Sequence, residues 1–303
     1  MKIFEFCMFH NEHPALALKM RESAKWVDEL HLCEANRTFR HGERSPALPP
    51  ETVFLKPHLF DGASRFHPAC RWGFSRYFPF FRKKEMARRN ETSQRNHVHE
   101  VLAGVADDDL VILSDVDEIV DSRRAGEVID AARRHGIVSI EMHHTFFYLN
   151  LYSTNFHEVW KHSPANYAYR TFAMTGAAFR TLRHSSDRLR RLGEWGRLHE
   201  RIFLLRGFHG FHHSWLGDEQ AALEKLRSYS HSLGEHAGEL AGPDGEISHE
   251  ALRNMMREGR SLYEGNRLEV KDFSEIPPLQ AVTDDLETFG RFILDKRSGG
   301  DVR

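Results

Sequence analysis

The sequence predicts an α/β fold with a mostly parallel central sheet flanked by helices. Three observations point there. Strand-like and helix-like runs alternate from Lys2 to His143, the run Leu110–Leu113 is apolar throughout, and acids crowd its carboxyl end.

Lys2–Phe9 alternates enough to read as a first strand, and Pro14–Val27 as a helix whose proline suits a first turn. Glu29–Glu34 supplies a second strand. The loop RHGERSPALPP can continue neither kind of element, and Thr52–Lys56 follows it as a third strand. Lys84–Leu102 is expected to be one helix carrying RRNETSQRN on its polar side. Leu110–Leu113 is a buried strand, Arg123–His135 a helix and Ile137–His143 a strand. Beyond residue 144 the pattern is mixed: TFFYLNLY and NYAYRTFAM suggest strands, and Asp218–Leu233 a helix after WLGDE. Ligand chemistry in such sheets gathers at the carboxyl ends of the strands.

Composition narrows the function classes. A chain of 303 residues with 40% hydrophobic residues can bury a large core, and Lys+Arg 42 against Asp+Glu 44 excludes a generally basic nucleic-acid binder. Cys7, Cys33 and Cys70 are too few and too scattered for a disulfide framework or a zinc site, which fits a reducing, cytoplasmic setting. No apolar run approaches the roughly 20 residues that cross a bilayer, so contact with a membrane would be peripheral.

The stretch DDDLVILSDVDEI, residues 107–119, carries the sharpest chemistry. Asp115 and Asp117 can reach one point if Val116 turns into the fold. Two carboxylates there would bind Mn²⁺ or Mg²⁺ and leave positions for phosphate oxygens, as a DxD motif does in enzymes that use sugar nucleotides. Acids also cluster at solvated strand ends without function. A phosphatase of the haloacid dehalogenase type, with Asp115 as nucleophile, would show a similar strand end, although Ile119 and the more than 100 preceding residues depart from that pattern.

Several separated stretches together resemble glycosyltransferase family 17, the family of the β-1,4-mannosyl-glycoprotein β-1,4-N-acetylglucosaminyltransferase. They are FHNEHPALALKMRESAKWVDELHLCEANRTFRHG, NETSQRN, DDDLVILSDVDEI, FFYLN and GFHHSWLGDEQAALEKLRSYSH, in the family's order and spanning roughly residues 9–231. The resemblance implies a GT-A type nucleotide-sugar-binding fold and a UDP-sugar donor, with N-acetylglucosamine as the sugar. It also implies transfer with inversion of the anomeric centre. The Arg-rich segment 179–201, with seven arginines against three acids, departs from the family pattern. That departure, together with the lack of a membrane-anchor run and the expected cytoplasmic setting, away from mature N-glycans, shifts the expected acceptor to a bacterial-type polysaccharide or glycolipid.

With that resemblance, Asp115 and Asp117 are metal and diphosphate candidates, Asp115 also being able to hold the ribose. Gly210, His212 and Ser214 match the family's G-x-H-x-S, which makes His212 a candidate third metal ligand. Asn11 and Glu12 after the first strand, and Glu34, Asn36 and Thr38 after the second, are placed for the base or ribose; short polar groups there can equally cap turns. Gln94 and Arg95 are candidates for the base or a phosphate. An inverting transfer needs a carboxylate base, for which Glu158, Asp218 and Glu219 are candidates. Phe146, Phe147, Tyr148, Trp160 and Trp215 can stack on sugars or fill core. Residues 1–297 are expected to form one domain, with a nucleotide half to about 122, an acceptor half beyond it, and a frayed tail at 298–303. A catalytically silent sugar-nucleotide binder of the same fold is the competing reading from another class.

Overall fold

The computed structural model describes residues 1–39, 42–66, 79–155, 170–182, 202–217, 248–263 and 265–294, together with Leu189, Gln220, Ala222, Leu223 and Leu240. Its centre is a seven-stranded sheet in the order β10-β6-β9-β4-β1-β2-β3. The strands are β1 (Ile3–Met8), β2 (Glu29–Ala35), β3 (Leu55–Phe60), β4 (Leu110–Asp115), β6 (Ile137–Ile140), β9 (Thr171–Thr175) and β10 (Ile202–Leu205). Neighbours pair in parallel except where β9 runs antiparallel between β4 and β6. Leu110–Leu113 is buried along its whole length, as expected of a strand covered on both faces.

A second, five-stranded sheet is not anticipated by the sequence. Its order is β12-β8-β7-β11-β5, built from β5 (Glu118–Val120), β7 (His143–Phe146), β8 (Leu151–Ser153), β11 (Gly210–Ser214) and β12 (Leu268–Val270). The expected single strand Ile137–His143 is in fact two, because the chain leaves the first sheet after Ile140 and re-pairs in the second from His143. The same crossing takes β4 into β5 and β10 into β11, so the seam between the sheets is crossed three times close to Asp115 and Glu118.

Helix α1 (His13–Ser23) begins with Pro14 in its first turn and ends earlier than expected. Trp26 and Val27 donate to the Ser23 carbonyl in a closing turn, and Val27 packs with Ile3 and Leu110 instead. Strand β3 starts at Leu55 rather than Thr52 because Thr52 Oγ1 accepts from Leu55 N in a tight turn; Pro57 is tolerated because β3 lies at the sheet edge. After the short helix α2 (Gly62–Arg65), the expected helix Lys84–Leu102 is two, α3 (Pro79–Asn96) and α4 (Val98–Val101). Helix α5 (Ala125–His135) follows a short 3-10 turn capped by Asp121, whose Oδ1 accepts from Arg123 N at 3.0 Å, and ends at Gly136 with φ of 80°. Little of the expected helix Asp218–Leu233, or of the Arg-rich segment, lies within the described residues. Arg180 does, and it donates to the Val105 carbonyl and pairs with Asp107.

Cores lie on both sides of the first sheet. One, under α1, joins Leu16, Leu18, Leu30, Val116, Ile119 and Phe211; another joins Phe60, Val98, Leu113 and Phe172. Among the described residues no helix is long and apolar enough to cross a membrane.

Candidate functional site

Strands β4, β1 and β2 are parallel neighbours in near-equal register, Asp115 lying opposite Met8 and Met8 opposite Cys33. The carboxyl ends of all three therefore face one region. It holds Asp115, Asn11, Glu12 and Glu34, which is where an open α/β sheet assembles a ligand site.

Between β4 and β5 the chain makes a four-residue turn, Asp115–Glu118. Val116 is fully buried and anchors the turn in the core. Glu118, also buried, folds back: its Oε2 accepts from Asp115 N at 2.9 Å and from Thr171 Oγ1 at 3.1 Å. Below the turn lies Lys19 of α1, with no exposed surface. Its Nζ is 2.6 Å from Glu5 Oε1, 2.9 Å from Ser114 Oγ, 2.7 Å from the Glu118 carbonyl and 3.2 Å from the Asp115 carbonyl. Burial works against the charge on Lys19, but the neighbouring Glu5 carboxylate outweighs it and holds the ammonium above the usual lysine pKa.

Asp115 and Asp117 have different partners. Arg95 of α3 grips Asp115 with two hydrogen bonds, Nη1 to Oδ1 at 2.5 Å and Nη2 to Oδ2 at 3.1 Å, and Nη2 also reaches Glu91 at 3.0 Å. This fork neutralises the Asp115 carboxylate and fixes its plane. Gln94, beside it, is buried and donates to the Cys33 carbonyl at 3.1 Å, tying α3 to the end of β2.

Asp117 meets β11 instead. Its Oδ1 stands 3.6 Å from His212 Nε2, and its carbonyl accepts from His213 N at 2.8 Å. His212 Nε2 also lies 3.0 Å from Ser214 Oγ, while its Nδ1 is buried without a hydrogen-bond partner among the described residues. His144 of β7 stacks edge-on against the His212 ring at 4.9 Å. His213 turns away, to Thr145 Oγ1 at 2.7 Å, and burial followed by the His212 charge lowers its pKa to about 3. Gly210 allows β11 to approach: a Cβ there would lie 2.2 Å from the Ile119 carbonyl oxygen. His209 is buried beside Arg124 and Glu127, away from Asp117.

The β2 end is organised by Arg44. Its guanidinium pairs with the fully buried Glu34 and with His10, and donates to Asn11 Oδ1 at 3.0 Å; Glu34 Oε2 also accepts from Ala47 N at 2.8 Å. Glu34 is thus engaged with the loop that follows β2. Asn36 donates to Asp61 Oδ1 at 3.0 Å and accepts from Ala63 N, and Thr38 Oγ1 accepts from Gly42 N at 2.9 Å, so both hold turns. Asn11 sits at φ 60°, which asparagine tolerates, and Glu12 precedes α1 without capping it through its side chain.

Glu158, Asp218, Glu219 and Trp160 lie outside the described residues. Phe146, Phe147, Tyr148 and Trp215 are buried in a cluster with Leu252, Met255 and Met256. They fill core, one of the two readings open from the sequence, packed with residues of the helix His249–Arg257.

Sequence reasoning missed Lys19, Glu5, Ser114, Thr171 and Arg44. Lys19 did carry a signal, since it lies on the same buried stripe of α1 as Ala15, Leu16 and Leu18. A lysine there requires a buried acid.

Chemically, the site offers a turn of carboxylates at a strand end, one neutralised by a guanidinium and one beside an imidazole. Among the described residues no group of three or more His, Cys, Asp and Glu side chains is arranged to hold a metal ion. Asp117 and His212 supply two converging donors, and the free Nδ1 keeps the His212 ring uncommitted on one side. Two protein donors suit Mg²⁺ or Mn²⁺ sites in which phosphate oxygens and water complete the shell.

The sequence model of glycosyltransferase family 17 matches residues 1–177. No curated protein matches the chain. Among solved structures, the chain is similar to a crystal structure of TarS 1-349 from S. aureus, with 12% identity, a TM-score of 0.36, and coverage of 96% of this chain and 82% of that one. A longer TarS structure gives 12%, 0.32, 86% and 43%. Mannose-6-phosphate isomerase from Helicobacter pylori gives 11%, 0.29, 59% and 72%.

Proposed function

The chain belongs to glycosyltransferase family 17, the family model covering more than half of it, and is a glycosyltransferase; from that premise we propose that it is metal-dependent, uses a UDP-sugar and inverts the anomeric centre. The observation that carries the proposal is the pairing of Asp117 Oδ1 with His212 Nε2 at 3.6 Å, beside a turn whose other carboxylate is held by Arg95. Membership of the family removes the ground for the phosphatase reading of Asp115.

In the proposed site Asp117 and His212 hold a divalent cation, Mn²⁺ or Mg²⁺. When bound, that ion offsets the charge that develops on the leaving diphosphate. Arg95 keeps Asp115 oriented toward the ribose and presents its guanidinium to the phosphates. The ends of β1 and β2, with Asn11 and Glu12, form the wall on which uracil and ribose rest, and the buried Glu34, held by Arg44, supports it from behind. One of Glu158, Asp218 and Glu219 takes the proton of the acceptor hydroxyl. N-acetylglucosamine is the proposed sugar, and a glycan or glycolipid the acceptor, with the Arg-rich segment 179–201 as the place for an acidic acceptor or an anionic membrane surface.

The test is thermal denaturation of the wild type and Asp117→Ala with UDP, GDP and CMP, each with and without Mn²⁺. A ligand that binds only the native state raises the melting point. Stabilisation by UDP that requires both Mn²⁺ and Asp117 is the expected result. No response to any nucleotide would overturn the donor site.

A further inference from the structure

Five buried side chains converge beneath the acidic turn: Glu5 from β1, Lys19 and Ser23 from α1, Ser114 from β4 and Glu118 from the turn itself, all but Ser114 at most 2% exposed. Glu5 accepts from Ser23 Oγ at 2.7 Å and from Ser114 Oγ at 2.9 Å, and lies 2.6 Å from Lys19 Nζ. The ammonium then faces the turn, sharing its three protons among Glu5, Ser114 Oγ and the carbonyls of Asp115 and Glu118.

A buried ion pair is a poor choice for stability alone, since apolar groups of similar volume often do as well or better. What an apolar side chain cannot do is bind two carbonyls three residues apart. Lys19 brackets the segment Asp115–Glu118 at both ends, and His213 N holds the Asp117 carbonyl between them at 2.8 Å. Three of the turn's four carbonyls are therefore fixed, and the Asp117 carboxylate projects from a backbone with little freedom.

We infer that Lys19, with Glu5 as its counter-charge, is a positioning residue that sets the Asp115–Glu118 turn so that Asp117 meets its ligand pre-arranged. This rests on the donor site proposed above. Lys19 touches neither donor nor acceptor; it acts through the backbone of the turn.

Three variants test it. Glu5→Gln/Lys19→Met removes both charges of the pair together, so that neither is left without the other. Ser114→Ala removes two hydrogen bonds of the cluster, to Lys19 and to Glu5, at small cost in volume. Ser23→Ala is the control, because it touches Glu5 on the side away from the turn. The first readout is hydrogen exchange of residues 114–121: it should quicken in the double variant and in Ser114→Ala, with β1 and β2 unchanged, and stay as in the wild type in Ser23→Ala. The second is the Mn²⁺ concentration giving half of the UDP-dependent thermal stabilisation. It should rise roughly tenfold in the double variant and less in Ser114→Ala, as supporting groups around metal ligands typically require, with kcat falling more than the donor KM rises. Unchanged exchange at 114–121, or equal effects in Ser23→Ala, would overturn the proposal. If the double variant does not fold, Ser114→Ala decides. A wild type without any Mn²⁺-dependent UDP response would defeat the donor site instead, and the exchange result would still decide whether Lys19 sets the turn.

Discussion

Arg95 and Asp115 meet through two parallel hydrogen bonds, Nη1 to Oδ1 at 2.5 Å and Nη2 to Oδ2 at 3.1 Å, while Asp117, two residues on, has an imidazole for its neighbour. The two aspartates of the motif therefore stand in different electrostatic surroundings, and their substitutions should differ.

Asp115→Asn gives up half of a forked ion pair that is mostly shielded from solvent, and should cost about 1–3 kcal/mol of stability without ligand. Asp117→Asn should leave ligand-free stability within about 1 kcal/mol of wild type but lower kcat by roughly a hundredfold or more. Urea denaturation beside steady-state transfer assays checks both. Equal stability losses would show that the Arg95 fork is unimportant to the fold.

Gly210→Ala is expected to be more damaging than its size suggests. The added methyl would lie 2.2 Å from the Ile119 carbonyl oxygen and 2.8 Å from Val120 Cα, so β5 and β11 must part. A loss of about 1–3 kcal/mol is the usual cost of such overpacking. Because His212 rides on β11, the Mn²⁺-dependent nucleotide response should fall with it, measurable by thermal shift.

Arg44→Ala should destabilise by roughly 3–5 kcal/mol, because Glu34 would be left buried without its counter-charge. Glu34→Gln/Arg44→Met should recover much of that loss. Chemical denaturation of the three proteins at neutral pH settles the comparison; an Arg44→Ala protein as stable as wild type would mean that Glu34 is protonated or solvated.

Acid stability should depend on His31 and His58, whose rings stack at 5.1 Å with Nδ1 of one 2.9 Å from Nε2 of the other. Burial, then the charge of His58, lowers the His31 pKa to about 4, and burial also lowers that of His58. The folded state thus binds fewer protons than the unfolded chain between about pH 6.5 and pH 4, so stability rises with pH across that window and is lost as pH falls through it. Glu29, 3.5 Å from His31, opposes the shift without reversing it. His31→Asn/His58→Asn should flatten the pH dependence in that window by roughly 1–2 kcal/mol, read from denaturation midpoints at pH 7 and pH 4.5.

The order of β1, α1, β2, β4 and α5 was legible because these elements announce themselves locally: a proline in a first turn, an all-apolar strand, a glycine after the last turn. The acids of the turn were legible for the same reason. The second sheet was not, because Ile137–His143 reads as one strand and nothing local marks where it changes partners after Ile140. Strand β5 is three residues long, and its existence depends on β11 arriving from far along the chain. Lys19 shows the same limit in another form: on sequence it is an interruption of an apolar face, and only the fold brings Glu5, Ser114 and two carbonyls to it.

The threefold crossing between sheets also governs the order in which the protein can be made. Strand β4 can dock on β1 once residue 115 has been synthesised, but β5 has no partner in its own sheet until β11, at residues 210–214, is available. Pairings so distant in sequence are slow to form. On the ribosome the nascent chain therefore carries an open strand edge beside its acidic turn for nearly a hundred residues of elongation, an interval open to aggregation and to chaperones.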